Sequence, residues 1–292
     1  MPLYIRKLPC SSGVMVEQQN IPQNTSLYNP SKSGKYTYIR ETKRGHGGET
    51  NGMLIHNETT GKITHIDTPY HLMPKTVNFF KGIEDLRLCT YNDRLWFGGT
   101  STHISDNMNN ELVVGYFNKE ITAVEKLQMV DIGSRPVKNV IPFVYENKMY
   151  LLDTFLSKIY ELKEKEDTKE WYIEIFKELV PASGISNEKY RGSTSPIHLH
   201  GSIYGCVVHD IIFNDNKKLM NRLAYMHHWM EFDIDLGIIT FISTPFWICH
   251  WGVEYVSGID IDTNGKITLF IGINDKLPIK AVTTLSDLRV GK

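Results

Sequence analysis

The chain has 292 residues, 41% of them apolar and 22% charged. That is a globular composition long enough to bury a sizeable core, and it excludes disorder for most of the length while allowing two small domains or one large all-β domain. The 32 Lys+Arg against 33 Asp+Glu leave a formal charge of -1, which excludes non-specific nucleic-acid binding, because that needs a basic excess to displace counterions from phosphates. An anion site, if present, must be local.

Residues 1–7 carry no apolar stretch of signal-peptide length, and no later run approaches the roughly 20 apolar residues of a spanning helix. The expectation is a soluble, cytoplasmic protein without a membrane span. Cys10, Cys89, Cys206 and Cys249 are far apart with no CxxC spacing, and are expected to be buried thiols.

Short period-two runs separated by turn residues recur along the whole chain, at 53–65, 87–98, 142–152 and 259–271, each reading strand, turn, strand. An unusual polar cluster stands near each hairpin: Asn29-Pro-Ser, Glu84-Asp-Leu-Arg87, Lys138-Asn139-Val, Arg191-Gly-Ser and Glu254-Tyr. Their first residues are 55, 54, 53 and 63 positions apart. A repeat of that size, four strands long, is the spacing of a propeller blade. It predicts a single all-β domain over 1–292, a five-bladed β-propeller with four-stranded blades at roughly 22–78, 79–132, 133–186, 187–246 and 247–292. The N-terminal segment is left over to complete a sheet.

The innermost strands of a propeller line its channel, so their first residues converge on one mouth. Asn29, Glu84, Asp85, Lys138, Arg191 and Glu254, remote in sequence, are thereby expected to share one funnel. Lys138, Arg191 and Arg40 are the candidates for an anion site, since guanidinium binds phosphate bidentately and ammonium adds a point charge. The Glu84-Asp85 pair offers a general acid, which needs its pKa raised by burial or by a like charge. Successive strand residues point to opposite faces, so both reach the channel only if the strand bulges.

At these same residues the chain resembles the five-bladed propellers of glycoside hydrolase family 130, and equally the related mannoside phosphorylases and β-mannosyltransferases of glycosyltransferase family 108 and propeller domains attached to other glycosyltransferases. The resemblance is carried by Asn29-Pro-Ser31 with Tyr38-Ile-Arg40, Gly82-Ile-Glu-Asp-Leu-Arg87, Lys138-Asn139 before Pro142-Phe143, Arg191-Gly192, Val207-Val-His209, Pro245-Phe246 and Gly272-Ile-Asn-Asp275. It runs from about Asn29 to Leu288, one motif per blade.

The resemblance implies an inverting enzyme acting on β-mannosides through a sugar-phosphate or nucleotide-sugar donor and a sugar or glycan acceptor. Asp85 matches the catalytic acid. Asn29, Arg40 and Asp275 match positions near the reacting sugar, and Lys138, Asn139, Arg191 and His209 match positions of phosphate or donor contact. Glu84, Arg87 and Glu254 are expected to complete the sugar site. Leu86 stands where the hydrolases usually have proline, and Asp210 where glycine often follows the matched histidine.

The alternatives are a metal-independent β-mannoside hydrolase, which has no use for the basic residues, and a propeller that binds glycans without chemistry. No metal or other cofactor is expected: His198 and His200 share one strand face without an obvious third ligand. The glycine-rich stretch 44–49 lacks the Lys-Ser/Thr and following helix of a phosphate-binding loop. Tyr70, Trp247 and Trp251 are candidates to stack on a sugar ring. Asp85→Asn is expected to abolish turnover at little cost in stability.

Overall fold

The structure, a computed structural model, describes residues 5–15, 22–45, 48–66, 80–101, 110–133, 138–185, 190–213, 222–249 and 252–291. Among the described residues, twenty-five strands form five sheets arranged as a β-propeller, with one short helix, Leu285–Leu288. Tyr70 and Trp251, and part of the 44–49 stretch, lie outside the described residues.

Four sheets carry the four-strand antiparallel order of a blade. The first runs Thr25–Ser33, Tyr36–Gly45, Gly48–Asn57, Ile63–Ile66, with Phe80–Lys81 added beside the third strand. The second is Glu84–Tyr91, Arg94–Ser101, Glu111–Phe117, Val124–Met129, and the third Ile141–Tyr145, Lys148–Asp153, Lys158–Glu164, Trp171–Glu178. The last is Glu254–Ile261, Lys266–Ile273, Leu277–Thr284, completed by the N-terminal strand Ser11–Val14. Between them lies an eight-stranded sheet built on the long hairpin Ile203–Phe213 and Arg222–Asp233. This region departs from the expected four-stranded blade because short segments, including Arg6–Lys7, Val180–Pro181 and Arg191–Gly192, are recruited to its edges.

The turns explain the hairpins. Asn92-Asp93 and Glu146-Asn147 each have two consecutive residues at positive φ, between the paired residues Tyr91 and Arg94 and Tyr145 and Lys148. Two left-handed residues give a turn whose twist matches that of the strands, and Asn and Asp tolerate that conformation well.

Neighbouring sheets bury their apolar faces against one another in sequence. Tyr38, Met53 and Ile55 of the first meet Leu86, Phe97 and Val113 of the second. Trp96 and Val114 meet Leu151 and Trp171 of the third. Phe143 and Tyr150 meet Tyr204 and Phe232 of the large sheet, and Trp229 and Phe246 meet Val256 and Leu269 of the last. The last sheet returns to the first through Ser257, whose Oγ donates to the Pro30 carbonyl at 2.8 Å. Each sheet is too thin to bury both faces alone, so the core lies between sheets.

All four cysteines are free; Cys89 and Cys206 are buried, while Cys10 and Cys249 are only half-buried. No helix among the described residues is long and apolar enough to cross a membrane.

Candidate active site

A cavity of about 330 Å³ opens where the first strands of the sheets converge. Its walls include Asn29, Arg40, Glu84, Asp85, Lys138, Asn139, Arg191, His209 and Asp275, together with Tyr28, Tyr225 and Tyr255. Nine of the eleven polar and charged residues expected at the sugar and anion sites therefore meet in one space.

Local backbone geometry aims them. The pairing of Thr25–Ser33 with its neighbour slips between Tyr28 and Ser31, and that of Glu84–Tyr91 slips between Glu84 and Arg87. The slipped residues Asn29 and Asp85 sit at φ 47° and 52°, and Asn139 and Asp275 at 61° and 52°. A bulge breaks the two-residue alternation, which is how Glu84 and Asp85, adjacent in sequence, both face the cavity. Arg191 and His209 are directly opposite in an antiparallel pair, so their side chains project from the same face.

Asp85 is held as an anion. Its Oδ1 accepts hydrogen bonds from Asn29 Nδ2 at 2.7 Å and from Arg40 at 3.0 Å. Burial pushes the carboxyl up, but the Arg40 and Arg87 charges and the Asn29 hydrogen bond outweigh it and hold the pKa at about 2. Glu84 is different: its Oε2 lies 3.7 Å from Arg40 and 3.9 Å from Lys138, beyond hydrogen-bond reach. Burial, reinforced by the Asp85 charge, raises its pKa despite Arg40 and Lys138.

The cations divide into two kinds. Arg40 is buried among carboxylates and amides, donating to Asn51 Oδ1 at 2.9 Å, to Asp85 and to Glu49 Oε1 at 3.4 Å, with its guanidinium 4.9 Å from the Tyr28 ring centroid. It serves the carboxylate side of the cavity, so its expected place in an anion site is corrected. Lys138 is exposed, with Glu84 as a loose partner, and Arg191 is half-buried with no carboxylate paired to it among the described residues. His209 stands beside them, its Nδ1 bonded to Ser193 Oγ at 2.8 Å and its ring edge-on to Tyr225 and Tyr255. Arg44, also in the wall, pairs with Glu49 at 3.2 Å, so among the described residues Lys138 and Arg191 are the cations left for an incoming anion.

Two residues expected at the mouth do not line the cavity. Arg87 is 1% exposed. It donates to the Ser193 carbonyl at 2.5 Å, to the Asp85 carbonyl at 2.7 Å and to Tyr255 Oη. It braces the strand behind Asp85 instead of touching a ligand. Glu254 is fully buried and accepts the backbone N–H groups of Ile248 and Cys249 at 2.8 and 2.7 Å, with His227 Nε2 at 3.5 Å. It ties the large sheet to the last sheet. Trp247 likewise stacks under Lys7, 5.1 Å from the ring centroid, away from the cavity. The aromatic walls are Tyr28, Tyr225 and Tyr255, which sequence alone does not separate from the other tyrosines; the position of Tyr28 and Tyr255 beside polar clusters was the available signal.

Among the described residues no group of three or more His, Cys, Asp or Glu gathers to hold a metal ion. His198 and His200 are exposed, and His198 Nε2 bonds the Gly201 carbonyl.

No protein-family model and no curated protein matches the sequence. Solved structures do match the fold. MPT-4, a mannose phosphorylase from Leishmania mexicana in complex with phosphate, superposes with a TM-score of 0.55 at 16% identity, over 97% of this chain and 89% of that one. MPT-1, a GDP-Man-dependent mannosyltransferase from the same organism, gives 0.60 at 14%, over 92% and 89%. The β-1,2-mannobiose phosphorylase of Listeria innocua gives 0.57 at 11%, over 92% and 93%. The resemblance read in the sequence is therefore matched by structures of mannoside phosphorylases and a mannosyltransferase, and at these identities the likeness is one of fold.

Proposed function

We propose that the protein is an inverting mannoside-active transferase or phosphorylase, in which the cavity holds a mannosyl group between the carboxylates and an anion. The observation that carries this reading is the gathering of both charges in one cavity: Glu84 and Asp85 beside Arg40, with Lys138 3.9 Å from Glu84, and Arg191 paired across the strands with His209. The known chemistry of the structural neighbours supports mannose as the sugar and phosphate or a nucleotide diphosphate as the anion. The five sheets are read as five blades, the eight-stranded sheet being a blade with added edge segments.

A half-buried guanidinium with no carboxylate partner among the described residues costs desolvation energy that hydrolysis gives no reason to spend, whereas a phosphate recovers it through a bidentate contact. In such a site Lys138, Asn139 and Arg191 bind the phosphate or the donor diphosphate, and His209, oriented by Ser193, adds a further contact. Asn29, Arg40 and Asp275 orient the sugar. Asp85 Oδ2 accepts no hydrogen bond among the described residues, and is placed to take one from a sugar hydroxyl.

Inversion requires a single displacement, with the anion attacking C1 on the face opposite the departing oxygen. A cavity that holds carboxylates and cations together can seat the sugar and the anion in one place for that displacement. The test is a thermal-shift titration with phosphate, mannose 1-phosphate and GDP-mannose, paired with an assay of phosphate or nucleotide release in the presence of β-mannosides. Stabilisation that rises with the logarithm of anion concentration is expected. A shift with a plain mannoside and none with any of the three anions would identify a hydrolase or a glycan-binding protein instead.

A further inference from the structure

The geometry points to Cys10 and Cys249 as a disulfide site that locks the closure of the ring, an inference independent of the reading of the cavity. The two thiols are in contact: Cys10 Sγ donates a hydrogen bond to Cys249 Sγ, which also accepts one from the Ser12 hydroxyl. The N-terminal segment changes sheets at Cys10. Before it, Arg6–Lys7 runs parallel to Phe246–Trp247 in the large sheet, and the Leu8 N–H donates to the Trp247 carbonyl at 2.8 Å. After it, Ser11–Val14 is the outer strand of the last sheet, with Ser11 opposite Val282. The Pro9 carbonyl in between accepts from Thr283 Oγ1 at 2.9 Å. Cys249 follows Phe246–Trp247 closely, and its own N–H is held by Glu254 Oε2 at 2.7 Å. The backbone beside each sulfur is thus fixed, and a bond between the two forms as an intramolecular step between groups already in place.

The other two cysteines are placed differently. Cys89 packs between the second and third sheets with its Sγ 3.5 Å from Met149 Sδ, and Cys206 packs between the third sheet and the large one; both are closed off from solvent. Cys10 and Cys249 border a separate core, the one between the large sheet and the last, and each keeps part of its surface open. A small oxidant reaches only that pair, because thiol exchange needs access as well as thiolate. The bond would close a loop of about 240 residues, most of the chain, and would hold covalently the segment that strand pairing alone now holds.

The oxidant is a low-molecular-weight disulfide such as oxidised glutathione, and Cys249 is the attacking sulfur. Burial raises the Cys249 thiol and the Glu254 charge adds to this, but the hydrogen bonds from Ser12 and Cys10 and the Lys7 charge favour its thiolate. Cys10, the donor of that pair, is pushed up to about 11 by burial and by Cys249. The Cys249 thiolate attacks one sulfur of the small disulfide. The S–S bond breaks with its electron pair passing to the departing thiolate, which takes up the proton that Cys249 released. Cys10, deprotonated in turn, attacks the Cys249 sulfur of the mixed disulfide and expels the second small thiol, which is protonated likewise. Two protein thiols are oxidised, one small disulfide is reduced, and two protons pass to the two thiols set free.

The test equilibrates the full chain in buffers running from reduced to oxidised glutathione and maps it by non-reducing digestion and mass spectrometry. Oxidation should consume two of the four thiols and join the peptide holding Cys10 to the one holding Cys249. It should raise the melting temperature by about 4 °C or more, a gain that dithiothreitol reverses. Four thiols that survive the whole series, a linkage through Cys89 or Cys206, or a melting temperature unmoved by the bond overturns the proposal. In Cys10→Ser, glutathione should accumulate on Cys249 without any gain in melting temperature, and faster than it accumulates on Cys10 in Cys249→Ser; the reverse order of rates overturns the assignment of the attacking sulfur. Should either variant fail to fold, brief alkylation of the wild type with iodoacetamide decides the same point, since it should mark Cys249 before Cys10.

Discussion

Asp85 is where chemistry and stability meet in one side chain. The sequence suggested that Asp85→Asn would be nearly neutral for folding, but the Arg40 pair changes that expectation. The folded pKa is depressed from 3.8 to about 2, so the group contributes stability that is present above the unfolded pKa and lost as pH falls through the folded one. The shift corresponds to about 2 kcal/mol. Asp85→Asn should therefore abolish turnover, lower neutral-pH stability by about that amount, and flatten the decline between about pH 4 and 2; urea titrations across that range give the answer. Glu84 has the opposite sign. Its raised pKa means a contribution present below the unfolded value and lost as pH rises, so Glu84→Gln should gain stability over the wild type with increasing pH.

At the same scale Arg191→Ala should leave folding nearly unchanged and reduce the thermal shift caused by phosphate. The lost charge-assisted contact is worth on the order of 1.5 to 3 kcal/mol of binding. Arg87→Met should do the reverse. It removes the donors that satisfy two buried carbonyls and Tyr255 Oη, and should cost about 3 kcal/mol in urea unfolding. Sequence proximity had grouped Arg87 with Asp85. Two residues along a strand is a return to the same face only where pairing is regular, and here the bulge intervenes.

Among the elements, hairpins and the order of polar clusters were legible because both are local patterns. Asn92-Asp93 and Glu146-Asn147 announce their turns by residue type, and Asn29, Glu84, Asp85, Lys138 and Arg191 announce themselves by phase. Glu254 shares that phase yet turns away, because its partners are the backbone amides of Ile248 and Cys249, contacts that no periodicity encodes. Nor does sequence spacing reveal that Arg40 would be consumed by Glu49, Glu84 and Asp85.

The short strand Arg191–Gly192 illustrates how an element positions the site. A Cβ on Gly192 would stand 2.4 Å from the Asn139 carbonyl oxygen and 2.5 Å from Ile141 Cδ1. Gly192→Ala should push Arg191 and Asn139 apart, costing about 1 to 3 kcal/mol of stability. It should also weaken phosphate stabilisation more than Gly205→Ala, a clash with the Trp229 ring on the same large sheet but away from the cavity. Comparison of the two variants by urea titration and thermal shift separates local displacement from general loosening.

For the molecule as a whole, the ring is closed by pairings between distant parts of the chain. Ser11–Val14 lies against Leu277–Thr284, with Ser11 opposite Val282, and Arg6–Lys7 lies beside Phe246–Trp247. Removing residues 1–15 should expose the edge of the last sheet and lower the melting temperature. It should also weaken anion stabilisation, since Tyr255, which donates to Asn139 Oδ1 at 2.8 Å and packs edge-on to His209, belongs to that sheet; calorimetry with and without phosphate checks both.

That seam also sets an order in time. A chain emerging from synthesis carries its first strand long before the partner of that strand exists, and contacts so remote in sequence form slowly. The early sheets can pack on one another as they appear, but Ser11–Val14 must wait for Leu277–Thr284. Asn29 and Asp85 wait for Tyr255 and Asp275, so the cavity is among the last parts of the molecule to come into being.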